Sequence, residues 1–244
     1  MLKKKWGQHL LIAGGILKKL VEFAQIKDEI VVEIGPGPGN LTKELLRTPL
    51  KKLYLIEIDP EMIEKLKKSI SDKRVIIIHA DATKFDFSSL GYKDLKLIGN
   101  LPYNVASFII ENTVYFKDYI PFAYYMIQKE VAERLIKGYS WLSVFVRTFY
   151  NLKYLMSIPP RFFIPPPKVQ SSFIEFKRKD FEEIKDLIKY KKFLTSIFAQ
   201  KRKILRNKIP ENVLYKASIN PHSRVEELSI NEFIRLFKVF ENKN

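Results

Sequence analysis

Cysteine is absent from this 244-residue chain. That excludes disulfides, thiolate nucleophiles and zinc sites of the CxxC kind. Histidine is scarce: His9, His79 and His222 lie far apart, so no histidine metal site and no metal cofactor are expected. Long apolar runs are missing, so the sequence offers no membrane span. The lysines at 3–5 are not followed by the apolar core of about 7–15 residues and the small-residue cleavage site of a signal peptide. The reading is a cytoplasmic protein without a membrane partner. Negative charge is also in short supply. Against 43 Lys and Arg stand 27 Asp and Glu, a formal net charge of +16. A surface this basic attracts polyanions and speeds their capture, which points to nucleic acid. Hydrophobic residues (46%) and charged residues (29%) are balanced as in a folded protein, with enough apolar material for a sizeable core.

The apolar pattern alternates between two kinds of segment. Residues 12–25 place apolar side chains at helical spacing, and 29–34 (EIVVEI) form a short apolar run ending in glycines. A helix is expected from 41, a strand over 53–58, a helix over 61–70, and strands over 75–79 and 95–99. Asp59-Pro60 reads as a helix N-cap followed by proline in the first turn. This alternation implies an α/β fold: a parallel sheet with helices on both faces and ligands bound beyond the carboxyl ends of the strands. Strand signals continue at 122–127, 143–150 and 171–176, around a proline cluster at 159–167. From about 181 the spacing turns helical and lysine-rich, so the expected division is a large domain over 1–180 and a small helical domain over 181–244.

The chemistry-bearing residues follow the strands. Glu33-Ile34-Gly35-Pro36-Gly37-Pro38-Gly39 is a glycine turn with GxGxG spacing, which differs from the GxGxxG of a pyrophosphate-binding turn. Glu33, just before it, disfavours phosphate and favours a ligand carrying a sulfonium and an ammonium. Glu57 ends the second strand, where a carboxylate can accept both hydroxyls of a ribose. Asp81, after the third strand, can accept from an adenine amine; alone it reads as well as a turn residue. The most informative signal is Asn100-Leu101-Pro102-Tyr103. Adenine's exocyclic amine is a poor nucleophile because its lone pair is delocalised into the ring. The Asn100 side-chain oxygen and a backbone carbonyl near Leu101 can accept both amine hydrogens and localise that lone pair. Pro102 stiffens the turn, and Tyr103 offers a ring for an extruded base. No metal and no strong base is needed, since a methylated aryl ammonium loses its proton to water.

Taken together, GQHLL at 7–11, EIGPGPGNLT, IEID, ADA, NLPYN, FIPPPKVQSS at 163–172, FAQKRK at 198–203 and RVEELS at 224–229 run nearly end to end. In this order they resemble the KsgA-type ribosomal RNA adenine dimethyltransferases. The resemblance implies a Rossmann-like class I methyltransferase sheet of seven strands with a small C-terminal helical domain. It implies S-adenosylmethionine as cofactor, S-adenosylhomocysteine as product, and no metal. The substrate would be the 3′-terminal hairpin loop of small-subunit rRNA, in an immature small ribosomal subunit, where two adjacent adenosines are dimethylated. A monomer is expected. By the same resemblance His9, Leu11 and Gly35 line the cofactor pocket, with Asn100 beside it. Glu57 would hold the ribose and Asp81 the cofactor adenine. Asn100, Leu101, Pro102 and Tyr103 grip the target base, and Phe163 closes its other face. Two departures lie near the site: Leu10 stands where the family usually has Phe, and Val105-Ala106-Ser107 where Ile-Ser-Thr is more common. Lys201, Arg202, Lys203, Arg206 and Lys208 form a dense basic cluster on an expected helix, with Lys3–Lys5 as a second candidate RNA contact.

Overall fold

The computed structural model describes residues 9–241. Gly7, Gln8 and the lysines at 3–5 lie outside them. In chain order the elements are β1 (Leu10–Leu11), α1 (Gly14–Ala24), β2 (Ile30–Ile34), α2 (Asn40–Leu45), β3 (Lys52–Glu57) and α3 (Pro60–Ser69). Next come β4 (Val75–His79), β5 (Lys96–Asn100), α4 (Ala106–Tyr115), β6 (Phe122–Gln128), α5 (Lys129–Ile136) and α6 (Trp141–Phe149). The chain continues with β7 (Tyr150–Ile158), β8 (Phe163–Ile164), β9 (Ser171–Arg178), α7 (Leu187–Phe198), α8 (Glu211–Lys216) and α9 (Ile230–Glu241).

Seven strands form one sheet in the order β4-β3-β2-β5-β6-β9-β7. The neighbours from β4 to β6 pair in parallel, and β9 runs antiparallel to β6. All five residues of β2 are buried, as a strand covered on both faces requires. The order reverses beside β2: β3 follows to one side and β5 to the other. That switch point opens a crevice at the carboxyl ends of the strands. Packing between β2 and β5 is close. A Cβ on Gly99 would fall 2.6 Å from the Ile34 carbonyl, so only glycine fits. β1 and β8 make a separate antiparallel ribbon that pairs Leu10 with Ile164 and Leu11 with Phe163.

The described residues divide into two compact units, 9–132 with 151–178, and 133–150 with 179–241. The sequence alone drew one boundary near 180. The structure assigns 133–150 to the second unit, because residues read as a strand (143–150) form α6 through Phe149. Ser140 caps this helix by accepting from the Ser143 N–H at 3.1 Å. Leu142, Phe145, Val146 and Phe149 then share one buried face at helical spacing. β-branched and aromatic content misled the strand reading, since a short apolar run carries no periodicity of its own.

Within the second unit, Tyr190 packs on Phe145, Phe149 and Phe237. The helical spacing expected from about 181 forms a helix from Leu187 to Phe198, which ends before the basic cluster. The basic cluster therefore sits on a turn and a single 3-10 turn, Leu205–Asn207, and not on a helix.

Candidate active site

The carboxyl ends of β2, β3, β4 and β5 surround a cavity of about 430 Å³. Its size suits a nucleoside-class ligand. Its walls bring together His9, Gly35, Glu57, Asp81, Asn100, Leu101, Pro102 and Tyr103, joined by Leu10, Ile58, Val105 and Phe108. The parallel sheet gathers this set from distant positions because Gly35, Glu57, Asp81 and Asn100 each stand at or just past a strand end.

The glycine turn is built from backbone. Gly39 N–H donates to the Pro36 carbonyl at 3.0 Å. Gly37 has φ 55°, a left-handed conformation that glycine adopts without strain. Its N–H then donates to Glu57 Oε2 at 3.1 Å. Glu57 Oε1 accepts from the N–H groups of Ile58 and Asp59, both at 2.9 Å. The carboxylate is thus oriented by three donors while it lines the cavity. Burial pushes its pKa up, and these backbone donors from Asp59, Gly37 and Ile58 pull the other way. Asp59 accepts from the Glu61 N–H at 3.0 Å and caps α3, the role its sequence context indicated.

Glu33 behaves differently from its sequence reading. It is 1% exposed and accepts from Thr42 Oγ1 at 2.6 Å. Burial raises its pKa to about 8; the Thr42 hydrogen bond opposes this and the nearby Glu57 adds to it. A pKa there favours the neutral carboxyl at pH 7, and Glu33 borders a small pocket of about 30 Å³ behind the glycine turn. The carboxylates lining the main cavity, among the described residues, are Glu57 and Asp81. A cationic ligand there meets those two groups.

Asp81 Oδ1 accepts from the Thr83 N–H at 2.9 Å and from Thr83 Oγ1 at 2.7 Å. This Asx-type turn fixes the carboxylate of a residue that lines the cavity. The Asp-x-Thr spacing is a local sequence signal for this contact.

Asn100 ends β5. Its Nδ2 donates to the His9 carbonyl at 2.7 Å, which sets the orientation of the amide and leaves Oδ1 as the acceptor. Leu101 N–H donates to the Met126 carbonyl at 3.0 Å, so the turn is tied to β6. Pro102 and the Val105 N–H close the next turn at 3.1 Å. Tyr103 shares a 2.6 Å hydrogen bond with Ser171 Oγ, and its ring lies 5.2 Å from that of His9. Burial raises the Tyr103 pKa, and the Ser171 hydrogen bond counters it. His9 is held by a 2.8 Å contact between Nδ1 and the Pro165 carbonyl. The proline run thus anchors the wall beside Tyr103, and Ser171 joins the site as a residue that sequence reasoning missed.

Two residues named from the sequence are not brought to this cavity. Leu11 is 4% exposed and borders the small pocket behind the turn; its neighbour Leu10 lines the main cavity instead. Side chains alternate along a strand, so adjacent residues of β1 face opposite ways. Phe163 is 2% exposed and packs in the core with Leu11, Leu17 and Phe173. Paired with Leu11 across the ribbon, its ring shares the core-facing side, so no face of it is presented to a base.

In the second unit the basic segment is displayed by a pinned turn. Ile204 bridges to Arg224, Leu205 N–H donates to the Ser223 carbonyl at 2.8 Å and Arg206 N–H to the Pro221 carbonyl at 3.0 Å. The FAQKRK and RVEELS segments therefore meet in space. Lys201 pairs with Glu226 at 3.0 Å, and Lys208 Nζ donates to the Ile197 carbonyl at the end of α7. Arg202, Lys203 and Arg206 are exposed.

The fold and site have counterparts among known proteins. A family described as ribosomal RNA adenine dimethylase matches residues 1–242. "Ribosomal RNA small subunit methyltransferase A" of Persephonella marina is 46% identical over 96% of this chain and 92% of its own length. The protein of that name from a Sulfurihydrogenibium species is 44% identical over 98% and 96%. Among solved structures, a dimethyladenosine transferase from Plasmodium falciparum superposes with a TM-score of 0.83 at 28% identity, over 96% of this chain and 98% of that one. The 23S rRNA methyltransferase ErmE superposes at 0.70 with 23% identity, over 95% and 99%, a likeness of fold alone. With the whole-length match and relatives this similar, the chain belongs to the ribosomal RNA adenine dimethylase family.

Proposed function

We propose that this chain uses S-adenosylmethionine to dimethylate the exocyclic amines of two adjacent adenosines in the 3′-terminal hairpin loop of small-subunit rRNA. The observation that carries the reading is the Asn100 amide. Its nitrogen is committed to the His9 carbonyl, so its oxygen is the group left to accept from an amine in the cavity. The same cavity holds Glu57, oriented for a ribose, and Asp81, oriented for a purine amine.

Bound S-adenosylmethionine supplies a methyl carbon made electrophilic by its sulfonium. The protein's part is positioning. Asn100 Oδ1 and the Leu101 carbonyl take the two amine hydrogens, which draws the nitrogen lone pair out of ring conjugation. Removing that acceptor removes stabilisation made in the transition state. Tyr103 presents a ring whose rotation is restrained by Ser171 and His9. The amine's surplus proton leaves to water after transfer, so the reaction needs no strong base near Asn100. The residues present fit the cofactor by chemistry. Apolar walls from Ile34, Ile56 and Ile58 suit a nucleoside, and the two carboxylates suit its hydroxyls, amine and positive charge.

The relatives named above for the small subunit support that choice of RNA, and the exposed Arg202, Lys203 and Arg206 support a polyanionic partner. The test is tritiated methyl transfer to small ribosomal particles lacking the modification, with the labelled bases mapped. Label at two neighbouring adenosines of the terminal loop is the expected result. Label on naked large-subunit RNA only, or RNA binding without turnover, sinks the proposal.

A further inference from the structure

Phe108 is the exposed aromatic residue of the cavity wall that no motif accounts for. It is 59% exposed, yet it lines the same cavity as Asp81, Ala82 and Val105. Its position along that wall is fixed by Asn112, one helical turn later on the same face of α4. Asn112 is 6% exposed, and its Nδ2 donates to the carbonyls of Ala82 at 3.1 Å and Phe85 at 2.9 Å. Both amide hydrogens thus clasp the segment after Asp81 to α4, and the face that carries Phe108 lies against the Asp81 end. Tyr103 occupies the other aromatic position, with His9 and Ser171. The cavity therefore has two aromatic walls at different ends, one beside Asn100 and one beside Asp81.

We infer that Phe108 is a cofactor-binding residue whose ring packs on the purine that Asp81 recognises, leaving Tyr103 for the target base. This rests on the S-adenosylmethionine reading above. The chemistry favours it. A large apolar ring left more than half exposed at a ligand cavity gains from being covered. Stacking of an aromatic side chain on a purine is tolerant of the ring's identity but not of its removal. Asp81 supplies the polar contact that fixes which purine edge is read, and Phe108 supplies area. Asn112 is a positioning residue that holds the two together.

The experiment is isothermal titration of the full chain with two ligands, S-adenosylhomocysteine and 5′-methylthioadenosine. The second retains the purine and ribose but lacks the amino acid. Phe108→Ala should weaken both by the same factor, about 10-fold, the scale of a lost stacking contact. Phe108→Tyr should restore both to within about 3-fold of the parent. The KM for small ribosomal particles should stay within about 2-fold. Because the ring is exposed, the fold does not depend on it, and Phe108→Leu gives a second non-aromatic variant with the apolar bulk kept. Unchanged affinity for both ligands in Phe108→Ala and Phe108→Leu overturns the inference. So does a raised particle KM with cofactor affinity intact, which would give the ring to the target base. Failure of the parent protein to bind S-adenosylhomocysteine is a different outcome: it removes the cofactor reading itself, and this inference with it.

Discussion

The crevice at the strand ends and the basic turn at 199–207 are built on opposite plans. In the crevice nearly every polar group has a fixed partner. Glu57 holds three N–H groups, Asn100 holds the His9 carbonyl, Asp81 holds Thr83 and Asn112 holds two carbonyls. In the basic turn the backbone is pinned and Lys201 pairs with Glu226, while Arg202, Lys203 and Arg206 extend into solvent. The difference separates what each region can do. A preorganised site discriminates on a scale of tenths of an ångström, whereas solvated cations attract any polyanion and are screened by salt. Losing one group from the crevice should therefore stop chemistry, and losing one charge from the turn should only loosen binding.

Asn100→Ala tests the first half of that contrast and carries the largest expected effect. Methyl transfer should fall at least ~100-fold, the scale of losing a transition-state hydrogen bond. Affinity for S-adenosylhomocysteine, measured by titration, should change by no more than about 3-fold. If cofactor binding fell as far as the rate, Asn100 would be a cofactor ligand first, and the division of labour within the crevice would have to be redrawn.

The second half calls for a graded response. Replacing Lys201, Arg202 and Lys203 together by Gln should weaken rRNA binding by about 10-fold at moderate salt. The salt dependence of log K should also become shallower, since fewer counterions are released. Lys201 contributes least, because Glu226 already neutralises it. An unaltered salt slope would show the turn to be an ordinary solvated surface. A loss of turnover at saturating RNA would show it to be part of the crevice's machinery, and the contrast would collapse.

The two regions also differ in how much of them could be read from sequence. The α/β order, the strand ends and the gathering of Gly35, Glu57, Asp81 and Asn100 were legible, because alternating apolar runs and glycine or proline punctuation are local signals. The direction a side chain takes was not. Leu11 and Phe163 belong to family-like motifs, yet the pairing of β1 with β8 turns both toward the core. Phe108 and Asn112 were missed for a related reason. Their importance comes from where α4 lies against the Ala82–Phe85 segment, 30 residues away for Asn112, and no local pattern encodes that contact. The basic cluster was legible as charge, but its place on a turn was not. After Phe198 the sequence is rich in lysine and arginine, which a helix face and a turn display alike, and the backbone leaves the helix to pair Ile204 with Arg224.

Glu33 and Glu57 repeat the comparison within a single site, at the smallest scale. They stand near the ends of adjacent strands. Glu57 is met by three backbone donors, whereas Glu33 has one hydroxyl, from Thr42, and an apolar enclosure. The poorer donor set explains why its pKa is raised from 4.5 to about 8. A carboxyl whose pKa is higher folded than unfolded stabilises the fold fully below the unfolded value, and that stability is lost as pH rises through the folded one. Between about pH 4.5 and 8, wild-type protein should thus lose stability progressively from this group. Glu33→Gln keeps the shape, accepts from Thr42 and cannot ionise. Its Tm should exceed that of the wild type by a margin that grows by roughly 4–8 °C between pH 6 and pH 9, a few kcal/mol for a chain of this size. Differential scanning calorimetry of the two proteins without ligand decides the matter. A margin that stays constant with pH would mean that Glu33 is ionised in the fold after all. The charge behind the glycine turn, expected from the sequence, would then be part of the attraction for a cationic cofactor.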